Sequence, residues 1–362
     1  MKIQRFILGA LTVLGVLFST GCVAIGTDTS GTAIYAFDAT DSKILVWDDA
    51  ETLYDDTSTD PTRTLTSAKL ADLAPLASGG MCLNRSQGRL WLISESGLIA
   101  RIDSIRSRSG AITSSYIRTF QLGDGDGGDD DVLDSSTFGQ LAVDGTSGTL
   151  YATEYNSSTT RIWAITSPLA YADGDTVAAT SVNLLKVSGD KHCLGVAAFN
   201  SKLFGFFYSG SSVEDSNTDT YTGPRLRLGT ASGFASDSSV IVGTSNTLLS
   251  ECKDHGLLAA DSTNGLVYVC RTAGPIAFKN AKFSTSYDVA PSLELPAPSA
   301  ALVTIAHPGT KDWLVGTGTP ATSSTTLWMW KSPSTDTTTS PVAFAYGTAI
   351  RAIAMDGSAS TE

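Results

Sequence analysis

One short phrase recurs six times along the 362 residues, and its last copy is divided between the two ends of the chain. One copy reads Gly79-Gly80-Met81-Cys82-Leu83-Asn84 and then Gly88-Arg89-Leu90-Trp91. The next reads Gly139-Gln140-Leu141-Ala142-Val143-Asp144 and then Gly148-Thr149-Leu150-Tyr151. Further copies start at Gly195, Gly256 and Leu302, the last of these degenerate. The sixth opens with Arg351-Ala352-Ile353-Ala354-Met355-Asp356, and its second half, Gly31-Thr32-Ala33-Ile34-Tyr35, stands near the other end. Self-similarity at a period of roughly 45 to 62 residues marks a repeat architecture. A repeat split between both ends is what a closed ring of sheets requires. The pattern predicts an all-β, six-bladed β-propeller with four-stranded blades, closed by pairing of the C-terminal strand with the N-terminal blade.

Each repeat parses into four strands, the first two supplied by the phrase itself. Later strands include Lys43-Ile44-Leu45-Val46-Trp47, Leu98-Ile99-Ala100-Arg101-Ile102, Thr160-Arg161-Ile162-Trp163-Ala164 and Thr326-Leu327-Trp328-Met329-Trp330, with apolar residues in alternation. Small residues suit the innermost strands, where blades converge and space is short. Ala142, Ala198, Ala259, Ala306 and Ala354 are placed at one repeat position on this reading. No stretch beyond the first twenty-odd residues shows a helical period. With 42% hydrophobic and 17% charged residues, the composition is that of a folded chain with a sizeable core.

Ile44-Leu45-Val46-Trp47-Asp48-Asp49-Ala50, then Pro61-Thr62-Arg63-Thr64-Leu65, then the glycine phrase with Gly88-Arg89-Leu90-Trp91, resembles the repeat of bacterial extracytoplasmic β-propellers of the NHL-repeat type. The likeness covers residues 31 to 93 well and the later repeats only through the inner-strand phrase. Such proteins share a fold and no single activity, so the resemblance implies a propeller and leaves function open.

The first residues read as a targeting segment. Lys2 and Arg5 precede an apolar run from Phe6 to Phe18, and Ser19-Thr20-Gly21-Cys22 follows. That run is too short to span a bilayer, which takes about 20 residues. Gly21-Cys22 resembles a bacterial lipobox, with Ser19 where the motif usually has Leu. This implies a signal peptide over 1–21, lipidation of Cys22, a tether over 22–30, and one propeller domain over 31–362. Val23 after the cysteine resembles lipoproteins sorted to the outer membrane. The expected location is therefore the cell envelope, the only membrane contact being the lipid anchor.

Charge narrows the partners. The net charge is -12, and losing Lys2 and Arg5 with the signal leaves 22 basic against 36 acidic residues. Nucleic acid is excluded as a partner on this balance. The expected partners are a protein or a glycan, bound by a monomer.

Three constellations carry possible chemistry. The loop from Gly123 formally contains G-x-G-x-x-G, yet Asp124, Asp126, Asp129, Asp130 and Asp131 make it a poor phosphate site and a better calcium site. Its spacing does not fit an EF-hand, and a solvated acidic loop is the alternative. Cys193 and Cys252 each stand just upstream of an inner strand in consecutive blades, which predicts a disulfide in an oxidising compartment. Zinc held by these two with His192 and His255 is the competing arrangement. Finally, some six-bladed propellers of the gluconolactonase type hydrolyse lactones or esters with a metal at the channel mouth. Here ionisable groups enter only two of six inner strands at one end. At the other end Asn84, Asp144, Asn200, Asp261, His307 and Asp356 share one position, where Asx is the ordinary turn former. The sequence therefore favours a binding or interaction platform, with a metal-dependent hydrolase as the alternative.

Overall fold

The structure is a computed structural model, and it describes residues 31–123, 137–155, 160–186, 192–208, 225–230, 233–234, 240–242, 257–271, 273–280, 283, 290–318 and 325–357. Six antiparallel sheets form, each a blade. From the axis outward, blade 1 is Ile350–Asp356, Ala33–Asp38, Lys43–Trp47 and Arg63–Thr66; blade 2 is Leu76–Asn84, Arg89–Ser94, Leu98–Ile102 and Ile117–Gly123. Blade 3 is Thr137–Val143, Leu150–Tyr155, Thr160–Ile165 and Asn183–Lys186; blade 4 is His192–Phe199, Lys202–Tyr208, Arg225–Thr230 and Val240–Val242. Blade 5 is Leu258–Asp261, Leu266–Val269, Ile276–Lys279 and Leu293–Glu294; blade 6 is Leu302–Ala306, Trp313–Gly318, Thr325–Lys331 and Val342–Tyr346. Each innermost strand adjoins those of the blades before and after it, and blade 6 adjoins blade 1, so the ring closes. This is the six-bladed propeller that the repeats predict.

Closure runs through both ends of the chain. Ile34 pairs with Met355, Tyr35 with Ala354 and Ala36 with Ile353, antiparallel, so the last strand is the inner edge of the first blade.

The register explains why the repeated phrase has its composition. Cys82 lies opposite Trp91, Ala142 opposite Tyr151, Ala259 opposite Tyr268, and Ala354 opposite Tyr35. Directly opposed residues of an antiparallel pair share a face of the sheet. Close to the axis only a small side chain fits; one strand outward the wedge between blades widens, and an aromatic ring fills it. The pairs fall into four of six buried clusters, one for each gap between neighbouring blades. Ala306 faces the corresponding gap in blade 6, although it stands one residue before His307 where the others stand two before their turn residue, and its partner is Val315. In that gap the indoles are Trp47 and Trp313.

Blade 4 departs from the sequence reading by one residue. Its small position is Ala197, opposite Phe204, rather than Ala198: the hairpin closes from Phe199 to Lys202 on a two-residue turn, Asn200-Ser201, both at positive φ, where Asn84 to Arg89 and Asp261 to Leu266 enclose four residues. A change of turn length changes which residues of the two strands face one another.

Two further details were not anticipated. Blades 1 and 2 each gain a fifth, parallel strand, Gly110–Ala111 beside Arg63–Thr66 and Asp175–Ala178 beside Ile117–Gly123. Two short helices, Ala50–Asp55 and Ala68–Ala71, lie in connections. The first is set by its cap: Asp49 accepts from the Glu51 N–H at 3.0 Å and the Thr52 hydroxyl at 2.8 Å, while Ala50 and Leu53 are buried. Among the described residues no helix is long and apolar enough to cross a membrane.

Candidate functional site

The axial channel is narrow because its walls are the six inner strands. It holds a cavity of about 110 Å³, lined by Cys82, Ala142, Ala197, Ala259, Ala306 and Ala354 together with larger apolar side chains. No carboxylate lies among the described lining residues; Gln140, Arg85, Ser262 and His307 are the polar ones besides Cys82.

At the end where the inner strands begin, Gln140 crosses the axis. Its Oε1 accepts from the backbone N–H groups of Val196 at 3.0 Å and Leu258 at 2.8 Å, and its Nε2 donates to the Leu258 carbonyl at 2.6 Å. One amide thus joins blades 3, 4 and 5 by satisfying the inward edges of two strands, which have no further strand to pair with. Leu257 fills the remaining space: a Cβ on Gly79, which has φ +70°, would lie 2.9 Å from its Cδ1. Glycine at 79 is required both by that conformation and by that approach.

The opposite end carries the ring of turn residues. Asp144 accepts from the Thr146 N–H and Asp261 from those of Thr263 and Asn264, as Asx turns. His307 does the same with a ring nitrogen, its Nδ1 accepting from the Gly309 N–H at 2.9 Å. Side chains then tie blade to blade. Ser262 and Thr263 donate to the Gly309 carbonyl, Thr310 donates to the Gly357 carbonyl, and Arg106 pairs with Asp356 at 2.6 Å. Arg85 reaches over the mouth, its Nη2 donating to the His307 carbonyl at 2.7 Å.

Beside this mouth Asp261, His307 and Asp312 bring ligand-type atoms within 4.8 Å of one another. The Tyr268 ring stacks on His307, centroids 5.5 Å apart. The hydroxyl of Tyr268 and Nε2 of His307 are both buried without a hydrogen-bond partner. Burial holds the Tyr268 pKa well above its ordinary value, with Asp261 and Asp312 adding to the rise, so the phenol keeps its proton. The tautomer of His307 follows from its turn. Because Nδ1 accepts, the proton of the neutral ring is on Nε2, 3.7 Å from the Asp261 carboxylate. To ligate a metal through Nε2 the ring would need the reverse, a free Nε2 lone pair and a donating Nδ1, and Nδ1 is already taken by the Gly309 N–H. In this arrangement His307 is a donor, and the cluster offers two donors, Tyr268 and His307, against two acceptors, Asp261 and Asp312. That set matches the four hydrogen bonds of a water molecule rather than a cation.

The same histidine makes stability sensitive to acid. Burial first, and the Arg85 charge second, pull the His307 pKa from 6.5 to about 3. The unfolded chain therefore binds a proton that the folded chain refuses, and stability present above pH ~6.5 drains away as pH falls toward the lowered value. The groups facing the ring are Arg85, Asp261, Asp312 and Tyr268. We expect the urea midpoint to drop more steeply between pH ~7 and ~4.5 in the native protein than in His307→Asn, which keeps the turn acceptor and removes the titrating ring. Parallel pH profiles for the two proteins would refute this.

Of the sequence-derived candidates, Cys22 and Asp124, Asp126, Asp129, Asp130 and Asp131 lie outside the described residues, as do Cys252 and His255. Cys193 is buried, its Sγ donating to the Gly195 carbonyl at 3.5 Å, and no disulfide joins any two of the described cysteines. Cys82 is half-buried because it faces the channel, and desolvation pushes its pKa up. Gln140 and Arg85 were missed, although each breaks the repeat. Gln140 stands where other copies have Gly80, Val196 and Leu257; Arg85 stands where others have Gly145, Ser201, Ser262, Pro308 and Gly357.

Fold and site together define a six-bladed β-propeller with a constricted, largely apolar axial channel. No protein-family model and no curated protein matches the chain. Among solved structures it is similar to a chain of the Nidogen/Laminin complex, with a TM-score of 0.53 and 11% identity over 90% of this chain and 98% of that one. It is also similar to the PQQ-bound form of aldose sugar dehydrogenase from Streptomyces coelicolor, with a TM-score of 0.48 and 16% identity over 74% of this chain and 82% of that one. At these identities the likeness is one of fold.

Proposed function

We propose that this chain is an envelope lipoprotein whose propeller is a binding platform for a protein or a glycan. The observation that carries the reading is the state of the channel. A cavity of about 110 Å³ with no carboxylate among its described lining residues falls well short of the roughly 300 to 1,000 Å³ of an ordinary ligand or substrate pocket. That volume admits no more than a few carbons, so a protein or a glycan has only the faces to bind, and propeller faces suit recognition because loops from all blades meet there on a rigid frame. A propeller of similar fold occurs in a complex with laminin, which is consistent with such a role. The alternative, a metal-dependent hydrolase, needs ligands gathered around the channel from several blades, and the one cluster of acids and imidazole among the described residues sits at the junction of blades 5 and 6 with its histidine in donor form. The acidic loop Asp124 to Asp131 remains the candidate for calcium, and Cys193 with Cys252 for a disulfide.

The test has two arms. Purified protein is screened for saturable binding to envelope glycans and proteins, and for turnover of lactones and esters with zinc or calcium present. Binding that survives chelator, without turnover, is expected; metal-dependent turnover lost in Asp261→Asn would overturn the platform reading. In a diderm host, Cys22→Ser is expected to leave the membrane pellet for the soluble periplasmic fraction, because one thiol carries the acyl attachment. Unchanged membrane retention of the variant would rule out the lipid anchor.

A further inference from the structure

The turn-side mouth of the channel holds an arginine that has no carboxylate in direct contact among the described residues. Arg85 carries five N–H donors, and one of them, on Nη2, is used by the His307 carbonyl. Its Nε is buried without a partner. No carboxylate accepts from the guanidinium among the described residues. Asp356 is taken by Arg106 at 2.6 Å, and Asp261 is held by the N–H groups of Thr263 and Asn264 and by the Asn264 side chain. The other polar groups of the cavity wall are neutral: burial keeps the Cys82 thiol protonated and the His307 ring uncharged. Burial also lowers the Arg85 pKa, to about 10, with the nearby charges of Asp356 and Asp261 acting the other way, and the side chain stays charged at neutral pH. A cation so placed, at the end of an apolar cavity, is the arrangement that an anion completes.

We infer that the channel mouth binds a short-chain monocarboxylate, its head on the Arg85 guanidinium and its alkyl tail in the axial cavity. The planar fork of arginine matches a carboxylate with two parallel hydrogen bonds, which a spherical halide does not exploit. The tail has a suitable surface in Met81, Leu83, Phe199 and Met355, and the volume of about 110 Å³ limits it to a few carbons. Sugars and nucleotides are too large for the same cavity. This site does not rest on the platform reading, since it lies inside the ring and partners of the faces do not touch it; loss of either leaves the other standing.

The test is calorimetric titration of the purified protein with sodium butyrate, with sodium chloride and sodium octanoate as comparisons. Butyrate is expected to give a saturable one-to-one heat, chloride a much weaker one, and octanoate none. Arg85→Met is expected to weaken butyrate binding by about tenfold or more, the loss of a charge-assisted pair. Ala198→Leu, which fills the cavity wall and leaves Arg85 in place, covers the case in which Arg85→Met does not fold, and is expected to abolish the butyrate heat as well. The inference is overturned by a folded native protein that gives no saturable heat with butyrate, by equal binding of butyrate and chloride or octanoate, or by undiminished binding in a folded Arg85→Met or Ala198→Leu.

Discussion

A chain ended at Ala349 is expected to lose the cooperative unfolding transition of the full-length protein. The missing strand, Ile350–Asp356, is the inner edge of blade 1 and is buried at every position but Arg351. Ile353 and Met355 leave the core between blades 6 and 1, Ala352 and Ala354 the core between blades 1 and 2. Each large side chain accounts for about 2 kcal/mol of burial. The ladder to Ala33–Asp38 goes with them, and that strand becomes an open edge. Since whole domains are stable by only about 5 to 15 kcal/mol, the loss exceeds what the ring can bear. Circular dichroism during a urea titration reads the outcome, and a synthetic peptide spanning residues 350–358 should restore the transition in part when added in excess. A truncated chain with the native midpoint would contradict closure through the ends.

The next largest effect is expected at Gln140. Replacing it with Met keeps the length of the side chain and removes all three hydrogen bonds that join blades 3, 4 and 5. The N–H groups of Val196 and Leu258 and the Leu258 carbonyl then face the apolar axis without partners. At 1 to 3 kcal/mol for each unsatisfied group, offset by the apolar gain of the thioether, a loss of about 3 kcal/mol follows. The measurement is the denaturation midpoint at constant slope. A change below about 0.5 kcal/mol would mean that the amide is not what holds these inner edges.

What was legible in the sequence was what the ring repeats. Cys82 with Trp91, Ala142 with Tyr151 and Ala259 with Tyr268 obey one geometric rule, small at the axis and aromatic one strand out, so the same letters recur at the same spacing. What was not legible is set by single events. The two-residue turn at Asn200-Ser201 goes with a small position at Ala197 in blade 4, and alternation alone does not show how tightly a hairpin closes. The parallel strands Gly110–Ala111 and Asp175–Ala178 are too short for a period, and their partners are distant in sequence. The helix Ala50–Asp55 rests on a cap and two buried residues. For the site, the turn ring from Asn84 to Asp356 was readable as Asx chemistry, whereas the roles of Gln140 and Arg85 depend on what lies across the axis, which a linear sequence does not display. Both were nevertheless visible as departures from their own repeat.

The pairing of Ile34 with Met355 also orders events in time. The four antiparallel strands of each of blades 2 to 6 come from one continuous stretch, so they can assemble as the chain emerges. Blade 1 cannot. Its contacts join residues nearly the whole chain apart, and such contacts pay the largest loop-closure entropy and form last. Until the final strand arrives, the Ala33–Asp38 edge stays open and the wedges on either side of it stay wet. Closure of the ring is therefore a checkpoint on completeness: a chain cut short in synthesis lacks the strand that makes the other five blades into one body, and is left with exposed edges that mark it for degradation.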